Sequence, residues 1–332
     1  MPNKLEREAT HAGSWYTNVP STLDLQLESW LNAVPNQIEG VGRLPVPSAR
    51  IIIAPHAGYS YSGPPAAWAY KSLDVSKAKR VFILGPSHHH YFEACAVSLF
   101  TTYATPLGSL VIDKEINESL LQGGAFTNMS LTIDQDEHSI EMHLPYVYKV
   151  LERHFGKGQT FPKIVPILVG SISARQEKEY GRLLRPYLDD PENCFVISSD
   201  FCHWGTRFTY TYYLPNSEPQ DRGQIVGHTL KQANCPQPPA DPPIWSSIKR
   251  LDELAIESIE TGRHKDFTEY LQKTRNTVCG RHPIGVVMGA LEEEEGQEPK
   301  GKFIFVRYEQ SSKCFTLRDS SVSYASAFAV VA

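Results

Sequence analysis

The sequence predicts an α/β protein with a mixed central sheet flanked by helices. Three observations predict it. Short β-branched runs alternate with segments of helical spacing, the pattern of layered α/β folds. Three of the apolar runs pass directly into polar, histidine-bearing turns. The two C-terminal strand runs follow one another without an intervening helical pattern, which makes part of the sheet antiparallel. No long low-complexity linker divides the 332 residues. One core usually stops growing near about 250–300 residues, so length alone permits one large domain or two.

Taken in order, strands are expected at Arg50–Ala54, Val81–Leu84, Ala94–Leu99, Ile164–Val169, Phe195–Ser198, Phe303–Tyr308 and Ser321–Ala329, because each is a short apolar or β-branched run bounded by turn residues. Helices are expected at Leu23–Leu31, Ile140–Leu151, Glu177–Tyr187, Ile248–Ile259, Phe267–Gln272 and Ile284–Leu291. In the first of these, Leu23, Leu27, Trp30 and Leu31 fall on one face. Leu214–Pro243, with five prolines near its end, reads as a proline-bearing surface insertion, helical only around Gln224–Gln232. Glu292–Glu295 reads as the acidic end of a helix.

Composition excludes several classes. The formal net charge is -5 with no basic stripe, so nucleic acid is not an expected partner. The first residues hold no apolar segment of the secretory kind, and no apolar run approaches the roughly 20 residues that span a bilayer. A cytoplasmic protein without membrane insertion is expected, with the nucleus as an additional location. The six cysteines, Cys95, Cys194, Cys202, Cys235, Cys279 and Cys314, form no C-x-x-C pair and are expected to be reduced thiols. The chain has no nucleophile elbow, phosphate-binding loop or dinucleotide fingerprint.

The chemistry-bearing residues gather at strand ends. Arg50–Ala54 leads into Pro55-His56-Ala57-Gly58-Tyr59, Val81–Leu84 into Gly85-Pro86-Ser87-His88-His89-His90, and Phe195–Ser198 into Ser199-Asp200-Phe201-Cys202-His203. Open α/β sheets bind ligands outside the carboxyl ends of their strands, so His56, His88, Asp200 and His203 can reach one place. Cys279 and Arg281 precede the helix that begins near Ile284, and a thiol at a helix N-terminus beside an arginine tends toward a lowered pKa. Asp134–His143 is placed at a helix start, with Glu137 and Glu141 four apart on one face. His138 and His143 are five apart, the wrong offset for the His-Glu-x-x-His zinc motif, so that segment reads as a polar network in which a metal ligand is the minority reading. Simpler readings stand beside the functional ones: Asp200 as a turn cap, Cys279 as a small buried apolar residue, His89 and His90 as exposed loop residues.

The blocks His11-Ala12-Gly13-Ser14-Trp15-Tyr16, Ala54-Pro55-His56-Ala57-Gly58-Tyr59, Leu84-Gly85-Pro86-Ser87-His88-His89, Asp136–Pro145, Ser198–Gly205, Cys279–Gly285 and Asp319–Ala325 resemble, in order and over nearly the whole chain, the MEMO family, mediators of ErbB-driven cell motility. The resemblance implies a single α/β domain spanning 1–332, with a fold related to the class III extradiol dioxygenases. It implies His56, His88 and Cys279 as metal ligands, with Asp200 and His203 beside them as catalytic or supporting groups. A cysteine in place of the carboxylate of the dioxygenase facial triad argues against ring cleavage and for a softer metal, iron or copper, with zinc as an alternative. Two functions follow from it. One is a metal-dependent oxidoreductase acting in signalling to cell motility or invasive growth. The other is a non-catalytic adaptor whose vestigial pocket takes a phosphotyrosine peptide, with Arg281 supplying charge and Trp15 and Tyr59 aromatic walls. Core packing is the competing reading of those two aromatics.

Overall fold

The computed structural model describes residues 5–215, 225–233, 237, 239–292 and 298–331. Among them a nine-stranded mixed sheet forms the centre. Its order is His203–Trp204, Ser321–Val330, Ala49–Ala54, Asn193–Ser198, Arg80–Pro86, Lys163–Val169, Cys95–Val97 and Phe126–Asn128, with Phe303–Gln310 paired to Ser321–Val330. The four central strands, from Ala49–Ala54 to Lys163–Val169, run parallel. The C-terminal strand closes on Ala49–Ala54 antiparallel, as does Cys95–Val97 on Lys163–Val169. All seven expected strands are present. The expected 94–99 strand shrinks to three residues.

Helices cover both faces: α1 (Pro20–Ala33), α2 (Tyr59–Ser72), α3 (Lys114–Gln122), α4 (Leu131–Asp136), α5 (Leu144–Phe155), α6 (Ala174–Asp189), α7 (Ile244–Glu260), α8 (His264–Thr274) and α9 (Arg281–Leu291). The central strands are buried over nearly their whole length and mostly apolar, because successive side chains enter different layers. Ile51, Ile53, Phe82, Leu84, Val165, Ile167 and Phe195 face a core built with α6 to α9. Ile52, Ala54, Val81, Ile83, Ile164, Leu168 and Val196 face one built with α1, α2 and α5. No helix among the described residues is long and apolar enough to cross a membrane.

Three local expectations are corrected. Helix α2 has no counterpart among the expected helices, and Pro64 and Pro65 lie inside it. The two carbonyls that lose their helical donors belong to Ser60 and Tyr61, which are exposed, so solvent replaces the missing bonds. The 225–232 part of the expected helix in the proline-bearing segment is not helical. His228–Thr229 pairs with Tyr212–Tyr213, and Leu230 packs into the core. Gln224, with residues 216–223, 234–236 and 238, lies outside the described residues, as do Glu293–Glu295 of the acidic run. The third correction concerns Glu137 and Glu141, which do not share a helix face. Glu137 has extended backbone and accepts the N–H groups of His138 and Ser139, a local alternative to helix continuation. Glu141 sits in a short 3₁₀ turn before α5.

Candidate metal centre

The parallel strands end together, and their first loop residues form the site. His56 follows Ala49–Ala54, His88 follows Arg80–Pro86, and Asp200 follows Asn193–Ser198. The fourth contributor is the 137–139 segment. The His56 and His88 rings lie 5.1 Å apart, and the His138 ring lies 4.3 Å from His88 and 5.6 Å from His56. One ligand atom from each of the three falls within 4.8 Å of the other two, a grouping able to hold a metal ion.

Hydrogen bonds set which nitrogens are free. The Ser198 hydroxyl donates to the Ser139 carbonyl at 2.7 Å, so its oxygen accepts from His56 Nδ1, 2.6 Å away. That puts the His56 proton on Nδ1 and leaves the Nε2 lone pair facing the cluster. Glu137 does the same for His88. Its carboxylate accepts the backbone N–H at 2.7 Å and Nδ1–H at 2.9 Å. These are the supporting contacts that metal-binding histidines ordinarily have. His138 Nδ1 is buried and makes no hydrogen bond among the described residues, although Glu137 Oε1 lies 3.4 Å from it. An orphaned imidazole nitrogen beside two oriented ones is a donor in want of a partner.

Burial and the neighbouring imidazole of His88 drive His138 down to about 3. Burial, then His88 and His138, hold His56 well below the ordinary histidine value. Both rings are therefore neutral near pH 7, the form that binds metal. Glu137 is held at about 2, the His88 hydrogen bond and charge outweighing its burial.

The remaining expected residues divide. Asp200 is buried and accepts the His56 backbone N–H at 2.9 Å. Burial pushes its carboxyl up against the pull of His203. Cys279 Sγ lies 3.2 Å from His56 Nε2, close to the separation of a nitrogen and a sulfur on one tetrahedral ion, roughly 3.5 Å for standard bond lengths. The expected lowering of the Cys279 pKa is opposed by its surroundings. Burial, then the Asp200 carboxylate, push the Cys279 thiol well up, while the Arg281 side chain is exposed. His203 hydrogen-bonds the Phe201 carbonyl through Nδ1 at 2.9 Å, and its backbone N–H donates to Thr277. Trp15, 38% exposed, packs its ring 4.5 Å from His138. Tyr59 is a correction: it is buried in the core, its hydroxyl donated to the Met142 carbonyl and its ring among Tyr16, Trp30 and Tyr146. Arg281 lines a different cavity, with Glu177 and His282, in which none of the three cluster histidines takes part.

Residue spacing hid His138, Glu137 and Ser198. A search for two histidines one turn apart discards His138, because its partners come from other strands. Glycine at 280 is required by close approach, since a Cβ there would overlap the Ser198 carbonyl and the Ser199 side chain. Gly280→Ala is expected to destabilise the fold by about 1–3 kcal/mol, read as a lowered thermal midpoint. Ser198→Ala is expected to weaken metal binding by roughly 10–100-fold, the usual effect of losing an outer partner, read by competition with a chromophoric chelator. Unchanged affinity would show that Ser198 does not orient His56.

A family model described as Memo-like protein matches residues 7–328. Protein MEMO1 of Danio rerio is 46% identical over all of both chains. Protein MEMO1 of Homo sapiens is 46% identical over 96% of this chain and 95% of its own. A MEMO1 family protein of Schizosaccharomyces pombe is 41% identical over 97% of this chain and 98% of its own.

Proposed function

Since the chain belongs to the Memo family, we propose that it holds a redox-active transition metal, iron or copper, between His56, His88 and His138 with Cys279 as a further donor, and acts through that centre in signalling to cell motility. The observation that carries the reading is the convergence of three imidazoles whose ligand atoms lie within 4.8 Å, two of them oriented by hydrogen bonds and the third with a buried nitrogen that makes no hydrogen bond among the described residues. Imidazole and thiolate donors suit iron, copper and zinc, whereas magnesium and calcium prefer oxygen. Bound iron or copper would supply one-electron chemistry with dioxygen.

The protein's own groups have distinct tasks in this reading. Asp200 fixes the His56 loop through the backbone N–H. His203, anchored through Nδ1, presents Nε2 as a general base. Trp15 shields one side of His138. Cys279 is both donor and oxidisable thiol. The adaptor reading, a phosphotyrosine segment in the same pocket, ranks second: of its three expected contacts only Trp15 stands beside the cluster.

The test is metal content after anaerobic, reducing purification without a metal-binding tag. Near-stoichiometric iron or copper, lowered in Cys279→Ser and His138→Ala, is the expected result. No metal after reconstitution would overturn it and favour the adaptor.

A further inference from the structure

We propose that the groove between α6, α8 and α9 is a binding site for a small anion carrying two or more phosphate groups. Two cavities of about 440 and 470 Å³ share Ala174, Thr268 and Gln272 and so form one continuous groove. Arg175, Lys178 and Arg182 of α6, Lys265 of α8, Arg275 just beyond it and Arg281 of α9 line it. This gathering of cations occurs on a chain of formal net charge -5.

The arginines are available. Arg175 pairs with Glu179 and Lys265 with Glu269, both at exposed sites. The side chains of Arg182, Arg275 and Arg281 are exposed and have no ion pair or hydrogen bond among the described residues. Guanidinium groups bind phosphate through paired, charge-assisted hydrogen bonds. Two carboxylates also line the groove, Glu269 and Glu177. Glu177 is buried and already held by His264 Nε2 and His282 Nδ1, each at 2.6 Å.

The walls identify the class of ligand. Apart from Leu271 and Ala174 they are charged or polar, and histidine is their sole ring. They therefore lack the apolar pockets that read peptide side chains and the aromatic surfaces that stack on a nucleobase. A compact polyphosphate meets the arrangement best, with cations at both ends of the groove. The site goes beyond the metal reading and does not depend on it.

The test is calorimetric titration of the full chain with inositol trisphosphate, beside sedimentation with phosphatidylcholine vesicles containing phosphatidylinositol bisphosphate. Saturable binding is expected, weakened at least about 10-fold by Arg182→Gln or Arg281→Gln, since a hydrogen bond to a charged group contributes about 1.5–3 kcal/mol. Arg275→Asn is expected to do the same. Asparagine suits the left-handed backbone at that position, φ 51. Lys77→Gln, an exposed cation outside the groove, should bind as the parent does, and unchanged thermal midpoints confirm folding. Vesicle binding with the same arginine dependence would identify a lipid headgroup as the source, and its absence beside retained trisphosphate binding a soluble one. No saturable binding, equal loss in Lys77→Gln, or binding confined to a tyrosine-phosphorylated peptide would overturn the proposal.

Discussion

Replacing His56 by alanine is expected to remove metal loading almost completely. Structural zinc sites with four donors bind with roughly 10–16 kcal/mol, so one donor accounts for roughly 3 kcal/mol, about 100-fold in affinity. His56 should exceed the other donors because it is buried, its tautomer is set by Ser198, and it stands next to both His88 and Cys279. The measurement is metal per chain and competition affinity for His56→Ala, His138→Ala and Cys279→Ser side by side. Retained stoichiometric metal in His56→Ala would locate the metal elsewhere. A loss in Cys279→Ser but not in His138→Ala would make the third donor the thiol alone. The reverse would leave Cys279 beside the metal as a redox partner.

The second large effect is expected at Glu141, which the mechanism does not touch. This fully buried carboxylate is surrounded by donors: Arg7 at 2.8 Å, the His11 backbone N–H at 2.8 Å, His11 Nδ1 at 2.9 Å and the Tyr16 hydroxyl at 2.9 Å. It ties the N-terminal segment, which carries Trp15, to the turn that carries His138. Glu141→Gln is expected to lower stability by about 3–5 kcal/mol, because Arg7 remains buried with its counter-charge reduced to Asp134 at 3.2 Å. The pH dependence gives an independent reading. The His11 hydrogen bond and Arg7 hold Glu141 at about 2 in spite of its burial, against an ordinary value of 4.5. A depressed folded value contributes stability above the unfolded value and loses it as pH falls through the folded one. The parent should therefore lose about 3 kcal/mol from this group between about pH 5 and pH 2, and the acid limb should flatten in Glu141→Gln. Equal acid limbs in chemical denaturation series would show that the carboxylate is not held this way.

The strands were legible because burial on both faces demands uninterrupted apolar runs, as in Ile51–Ile53 and Val165–Val169. Helices with one apolar face, such as α1 and α7, were legible for the same reason. Helix α2 was not. Its small residues and two prolines carry no helical signal, and it is stabilised by packing against the sheet and by bonds such as Tyr146 to the Gly63 carbonyl.

The candidate site divides the same way. By themselves the residues determined that His56, His88 and Asp200 stand at the carboxyl ends of strands, because an apolar run followed by a polar turn is a local pattern. Only the tertiary structure decided that His138 joins them, that Glu137 and Ser198 orient two of the rings, that Tyr59 is core and that Arg281 opens onto another groove. Those outcomes depend on which strands become neighbours, which buried donor meets which acceptor, and how burial moves each proton. None of these is a function of residue spacing along one chain.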